Sequence, residues 1–279
     1  MAALSNGNES CMVKIRQTGK IKKNSYEATA WEQNAVVVGI DEVGRGCIAG
    51  PVVAAAVILP LNKANRKLKD SKIMTQQERE AAFQWIAKHC SYGVGIVHHR
   101  IIDQRNIYHA TLIAMKKALV NLLASSSLRP TAVLTDAMPL DLADTRFDDI
   151  PVYYFPKGES KSSSIAAASI VAKVTRDGMM GLYDAVIPGY KWVDNKGYRT
   201  PSHKHAVRAY QHSIIHRMRY LSNIDNREEV METQLLIGDI LCALKDTLQQ
   251  VQGERDTEDQ LQKISPPLVL SLSKDILER

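Results

Sequence analysis

Apolar residues run along this chain in two rhythms. Short β-branched runs bounded by Gly, Pro or Asp predict strands over 35–40 (AVVVGI), 52–59 (VVAAAVIL), 92–98 (YGVGIVH), 131–137 (TAVLTDA) and 152–155 (VYYF). Segments with helical spacing fall between and after them. These cover 75–90, which opens with a threonine cap and an acidic first turn, 106–124, the serine-started and alanine-rich 162–186, and 200–213, with Pro201 in its first turn. Strands interspersed with helices predict an α/β domain around a mixed sheet. Only a short turn, DEVGRGCIAGP, separates the first two strands, so they are expected to pair as a hairpin rather than through a crossover helix.

The two ends read differently. Residues 1–34 are polar and basic without a sustained period, which predicts a short flexible arm before a main domain over 35–222. In the 223–252 extension, Val230, Ile237, Leu241, Leu244, Leu248 and Val251 predict an amphipathic helix over about 227–251. The last stretch, 253–279, carries a charge cluster and a Pro-Pro break and is expected to be disordered.

Charge sharpens this division. The net +6 splits into 30 basic against 18 acidic residues up to position 222, and 6 basic against 12 acidic beyond it. A basic body with an acidic tail implies a polyanionic partner for the body, nucleic acid first, although excess lysine also serves solubility alone. The four cysteines (Cys11, Cys47, Cys90, Cys242) are scattered and predict neither a zinc site nor a disulfide framework. No apolar run spans a bilayer and the N-terminus has no secretory pattern. The expectation is a cytoplasmic, monomeric protein with no membrane partner.

Carboxylates supply the candidate chemistry. Asp41 and Glu42 stand side by side where the apolar strand VVVGI gives way to Gly44, Arg45 and Gly46. Successive side chains of a strand point to opposite faces, so one metal site held by both requires the strand to end there. Asp136 closes the strand TAVLT, where it is read as a ligand or as an ordinary turn residue. Asp177 lies inside the alanine-rich helix, where it is read as a buried ligand or as the partner of Arg176 or Lys173. A buried carboxylate without compensation costs several kcal/mol, roughly, and a divalent cation such as Mg2+ or Mn2+ supplies that compensation. Four carboxylates beside a basic surface suit two-metal hydrolysis of a phosphodiester.

The block GIDEVGRGCIAGPVVAAAVIL resembles the signature of ribonuclease HII, the type 2 ribonuclease H family. The likeness continues in register through LKDSKIMTQQERE, IDQRNIYHATLIAM, AVLTDAMPL, SIAAASIVAKVTRDGMM, NKGYRTPSHKHAV and IIHRMRYL, over about 35–222. It implies a ribonuclease H-like fold, with a mixed five-stranded central sheet flanked by helices and a C-terminal helical extension. It also implies a metal-dependent endoribonuclease acting on RNA–DNA hybrids and on single ribonucleotides in duplex DNA, with two Mg2+ or Mn2+ ions. By resemblance, Asp41, Glu42, Asp136 and Asp177 are the metal-binding and catalytic acids. Gly44, Arg45 and Gly46 read the ribose 2′-hydroxyl, and Tyr198 stacks on the following sugar. Lys72 is read as a phosphate contact or a solvated surface lysine, and Asp70 as a turn or cap acid. His203, His205 and His216 are expected to cap or to contact phosphate rather than to bind metal. Two departures stand out: Glu159 occupies the place of an aspartate after Lys157-Gly158, and Cys47 follows the glycine–arginine–glycine. Ribonuclease HIII shares DEVG but lacks the GRG arrangement and carries a substantial N-terminal domain. A non-catalytic hybrid-binding module would need one of the four acids replaced.

Overall fold

The computed structural model describes residues 14–16, 22–63, 65, 68–69, 71–143 and 145–221. The chain divides into two compact units, Met1–Arg227 and Glu228–Arg279. The expected helix over 227–251, the tail over 253–279 and Asp70 lie outside the described residues.

In chain order the described elements are β1 (Lys14–Arg16), α1 (Ser25–Glu32), β2 (Val37–Val43), β3 (Val52–Ile58), α2 (Gln76–His89), β4 (Ser91–Val97), α3 (His99–Ser125), β5 (Ala132–Asp136), β6 (Val152–Phe155), α4 (Gly158–Lys161), α5 (Ser163–Val186), α6 (Trp192–Asn195), α7 (Pro201–Tyr210) and α8 (Met218–Leu221). The sheet order is β1-β6-β5-β2-β3-β4. β2, β3 and β4 form an antiparallel meander, whereas β5, β6 and β1 run parallel to β2. The five expected strands are therefore joined by a sixth, a three-residue edge strand from the N-terminal segment.

Helices cover both faces, which is why β3 is buried at every position. One face packs Val38, Ile40, Ala54 and Ala56 on α3 through Ala114, Met115 and Leu122. The other packs Val53, Ala55 and Val57 on α5 through Ala167, Ile170 and Val171, with Ala82 and Ile86 of α2 outside them. The helix starts follow their side-chain chemistry. Thr75 and Glu78 form a reciprocal capping box on α2, Ser162 Oγ accepts from Ile165 N on α5, and Thr200 Oγ accepts from His203 N on α7. α5 lies unusually close to β2: a Cβ on Gly39 would stand 2.2 Å from the Ser164 backbone carbon. Gly39→Ala is therefore expected to cost about 1–3 kcal/mol of stability by forcing helix and strand apart. An unchanged urea midpoint would contradict that close approach.

The segment expected to be a short flexible arm contains α1. It escaped the periodicity because its anchor is polar: Glu27, buried, accepts from Ser162 Oγ at 2.5 Å and from Ser164 N at 3.1 Å, at the N-terminus of α5. A carboxylate there is favoured by the unpaired helix N–H groups. α3 begins earlier than its periodic run and carries a break at Asn106, whose φ is 66°.

A third apolar cluster joins Ile48 and Ala49 to Trp192, Val207 and Ile215. It encloses His203 and His216. Burial pushes the pKa of His216 from 6.5 down to about 3, with His203 and His212 adding to the effect, and burial also lowers His203. The unfolded chain takes up protons below about pH 6.5 that the folded state refuses, so stability falls as pH drops from there towards 3. The urea midpoint of wild type, measured relative to that of His216→Asn, should decline between pH 7 and 5. A difference between the two that does not change over this range, or grows in favour of wild type as pH falls, would contradict the buried neutral state.

Candidate active site

β2 and β5 are parallel neighbours with Ile40 paired to Thr135. The next residues, Asp41 and Asp136, consequently lie side by side on the same face, the one covered by α5. Beyond β6, Lys157 adopts a left-handed conformation (φ 58°) and starts the short helix α4. This turn brings Gly158 N–H within 2.9 Å of Asp136 Oδ1 and swings Glu159 over the same end of the sheet. One oxygen each of Asp41, Asp136 and Glu159 then lies within 4.8 Å of the others.

Glu42 is arranged differently from expectation. β2 does not end at the paired acids; it stays paired with β3 through Glu42↔Ala54 and Val43↔Val53. Glu42 therefore projects on the opposite face from Asp41 and is absent from the three-carboxylate group. It remains electrostatically close: burial raises its pKa, Arg45 opposes that rise, and Asp136 adds to it. Arg45 Nη1 donates to Glu42 Oε1 at 3.0 Å, while the buried Oε2 has no hydrogen-bond partner.

Asp177 is not brought into the group. It accepts from Lys173 Nζ at 2.7 Å, one helical turn away, which is the surface-pairing alternative. The spacing along α5 explains this. Ser169 is the residue whose hydroxyl reaches Asp41, and Asp177 lies eight positions further, about 12 Å along the axis at 1.5 Å per residue. Glu159 stands with the two aspartates instead. Its departure from aspartate was visible in the sequence, but the folding-back of KGES was not.

The pKa of Asp41 is raised well above its ordinary value, first by burial and then by the charge of Glu42, with a Ser169 hydrogen bond opposing. Behind it, Ser169 Oγ and Ser71 Oγ are 2.8 Å apart. Lys72 Nζ reaches Glu159 Oε1 at 3.1 Å from a side chain that is 74% exposed. Oxygen-only ligands, a raised carboxylate pKa and a buried unpartnered oxygen on Glu42 all fit hard divalent cations.

The glycine–arginine–glycine turn follows directly. Gly44 has φ 93°, and a Cβ there would lie 2.3 Å from Arg176 Nε. Arg45 is partly exposed and Gly46 exposed. The turn rests on two buried guanidiniums, Arg176 and Arg217, whose place beneath it the sequence did not show. Arg176 donates to the carbonyls of Pro51, Lys196 and Ala49, and Arg217 to those of Gly50 and Arg45. Tyr198 reaches the same place from the far side. Its backbone bridges Cys47, and its ring, 37% exposed, lies 5.7 Å from Lys173 Nζ and 5.8 Å from Arg176 Cζ. The sequence placed Tyr198 and the GRG turn 152 positions apart; the fold makes them neighbours. His203 and His216 lie outside the carboxylate group found among the described residues and sit behind Tyr198, hydrogen-bonded to each other.

Residues 38–223 match the family model for ribonuclease HII. The chain belongs to the ribonuclease HII family. It is 45% identical over 197 residues to ribonuclease HII of Lactobacillus delbrueckii subsp. bulgaricus, spanning 70% of this chain and 73% of that one. It is 44% identical over 202 residues to the Listeria innocua ribonuclease HII, spanning 72% and 74%. Among solved structures, ribonuclease HII in the PCNA complex from Archaeoglobus fulgidus aligns at 25% identity with a TM-score of 0.56, over 70% of this chain and 98% of that one. Ribonuclease H2 from Pyrococcus horikoshii aligns with the same TM-score at 24% identity, which bears on the fold. The architecture is the ribonuclease H-like fold. As a member of that family the chain is a metal-dependent endoribonuclease of the hydrolase class, with ribonuclease H activity on RNA–DNA hybrids. Among the described residues no helix is long and apolar enough to cross a membrane.

Proposed function

We propose that this protein incises duplex DNA on the 5′ side of a single embedded ribonucleotide, leaving a 3′-hydroxyl and a 5′-phosphate, as well as cutting longer RNA–DNA hybrids. The observation that carries this reading is the juxtaposition of the Asp41, Asp136 and Glu159 oxygens, all within 4.8 Å of one another, with the Gly44–Gly46 turn and Tyr198.

In this reading Asp41, Asp136 and Glu159 are the central ligands of two Mg2+ or Mn2+ ions, with Glu42 joining from the strand's other face. When bound, such ions lower the pKa of water and stabilise the leaving oxygen. Asp177 is reassigned from ligand to partner of Lys173 beside Tyr198, on the strength of their 2.7 Å contact. The Gly44, Arg45 and Gly46 backbone approaches the sugar closely because no side chain intervenes at the glycines, and the 2′-hydroxyl is the local mark of RNA. Tyr198 lays its ring on the next sugar, where a deoxyribose offers a flatter apolar face. Lys72 contacts a neighbouring phosphate, its exposed ammonium turning from Glu159. The free thiols of Cys47 and Cys90 accord with a reducing, cytoplasmic setting. A single polypeptide carries every residue of this site, in keeping with a monomer.

The test is a gel assay on a duplex with one ribonucleotide and on a long hybrid, with Mg2+, with Mn2+ and with a chelator. Incision 5′ to the ribonucleotide is expected with either metal, and activity should vanish on chelation and return on metal addition. Protein that binds the duplex without cutting it in either metal would overturn the reading.

A further inference from the structure

The segment from Ser213 to Arg217 belongs to neither half of the ribonucleotide reader yet holds both. Gly50 N–H donates to Ile215 O at 2.9 Å and Arg217 N–H to Ile48 O at 2.8 Å, which fastens the segment under the glycine–arginine–glycine turn. Its histidine reaches the other half. Ser213 N–H points at His216 Nδ1 at 2.9 Å, with Ser213 Oγ on the same nitrogen at 2.8 Å. His216 Nε2 lies 3.1 Å from His203 Nε2, and His203 Nδ1 lies 2.8 Å from Tyr198 O.

Both ends of this chain of contacts are fixed in kind. A backbone N–H can only donate, so His216 Nδ1 carries no proton and its Nε2 does. A carbonyl can only accept, so His203 Nδ1 carries the proton and its Nε2 accepts from His216. One assignment satisfies every contact, and it requires both rings neutral. Their surroundings favour that state: Tyr190 lies 5.1 Å from His216, Trp192 lies 5.0 Å from His203, and both histidines are buried. A proton added to either ring would set N–H against N–H.

We propose that His216 and His203 form a directional hydrogen-bond relay that positions Tyr198 for the sugar beside the ribonucleotide, so that two buried residues touching no substrate set how sharply a single ribonucleotide is distinguished from a run of them. The proposal rests on the reading of Tyr198 given above. The Tyr198 backbone is held by few groups: its N–H donates to Asn195 O at 2.8 Å, and its carbonyl accepts from Thr200 N–H at 2.8 Å and from His203. The ring itself is partly exposed, lying beside Lys173 and the buried Arg176 with a hydroxyl contact to Cys47, and the backbone sets the position from which it projects. Losing the relay leaves the carboxylates in place and loosens only the sugar reader.

The experiment measures kcat/KM on a single-ribonucleotide duplex and on a long hybrid for wild type, His203→Leu, His203→Asn and Tyr198→Ala. Loss of one buried hydrogen bond predicts a fall of about three- to tenfold in the ratio of the two values for His203→Leu, whose long-hybrid cleavage should stay within about twofold, with the ratio for Tyr198→Ala falling at least as far. His203→Asn keeps an amide N–H where Nδ1 stood, and its ratio should stay within about twofold of wild type. A folded His203→Leu with the wild-type ratio, equal loss on both substrates, or His203→Asn falling as far as His203→Leu would each overturn the proposal. Imidazole nitrogen-15 spectra of the wild type provide a readout independent of any variant's folding. They should show His203 protonated on Nδ1 and His216 on Nε2 at neutral pH, and the opposite tautomers or a charged ring would overturn the relay. A wild type without any preference between the substrates would instead overturn the reading of Tyr198, taking this proposal with it.

Discussion

Asp41→Asn is expected to lower incision on the order of a thousandfold, equivalent to about 4 kcal/mol of transition-state stabilisation, without lowering stability in chelator. Asp136→Asn should do the same to activity. The amide keeps the shape of the carboxylate but removes the charge that holds a hard cation. The stability half of the expectation follows from burial. Asp41 ionises with difficulty because burial and the neighbouring Glu42 both disfavour its charge. Its raised folded-state pKa means that the metal-free fold binds a proton which the unfolded chain has released. Stability therefore declines as pH rises from the ordinary carboxylate range through that raised value, and the asparagine is free of this decline. Thermal melts at pH 7 in chelator should thus show the variant as stable as wild type or more so. Adding Mg2+ or Mn2+ should raise the melting temperature of wild type more than that of the variant. Activity within tenfold of wild type, or a variant that has lost its fold, would refute the assignment.

Glu159→Gln and Asp177→Asn separate two ligand sets. The geometry assigns Glu159 to the group with Asp41 and Asp136 and leaves Asp177 paired with Lys173. Glu159→Gln should therefore cost about a hundredfold or more in kcat, in the range seen when charged groups at a reaction centre are neutralised. Asp177→Asn should cost less than about fivefold, because a partly exposed i,i+4 pair contributes only about 0.3–0.5 kcal/mol. Both variants should bind hybrid, since neither removes a basic group. The reverse order of effects, Asp177→Asn crippling and Glu159→Gln mild, would restore the ligand set read from the sequence alone.

The contrast between these two acids shows what a linear reading can and cannot reach. Asp136, at the end of an apolar strand, was read as a ligand or as a turn residue, and the fold sets its carboxylate beside those of Asp41 and Glu159. Glu159 was visible only as an odd residue after Lys157-Gly158. Its place depends on a left-handed lysine and a four-residue helix, features with no periodic signature. Asp177 looked buried because its helix is alanine-rich, but burial on α5 is graded along its length. Residues up to Ala172 pack on the sheet, whereas Lys173 and Asp177 are only partly covered. α1 was missed for a related reason: it docks through Glu27 on a helix N-terminus together with Tyr26 and Ala30, too few apolar positions to make a periodic stripe.

By itself the sequence determined the elements whose stability is written locally: the five strands of the mixed sheet, the long helices with the Thr75 cap, the serine start of α5 and Pro201 in the first turn of α7, and the family. It also placed Asp41 beside the Gly44–Gly46 turn, because those residues are adjacent in the chain. Only the tertiary structure decided which acids share a site, since carboxylates from β2, β5 and α4 meet through strand register and a backbone turn. It alone put Arg176 and Arg217 beneath the turn and the His216–His203 pair behind Tyr198. Those positions arise from contacts between residues more than a hundred apart in several cases, where the favourable energy of burial and hydrogen bonding is set by what surrounds a side chain and not by its neighbours in sequence.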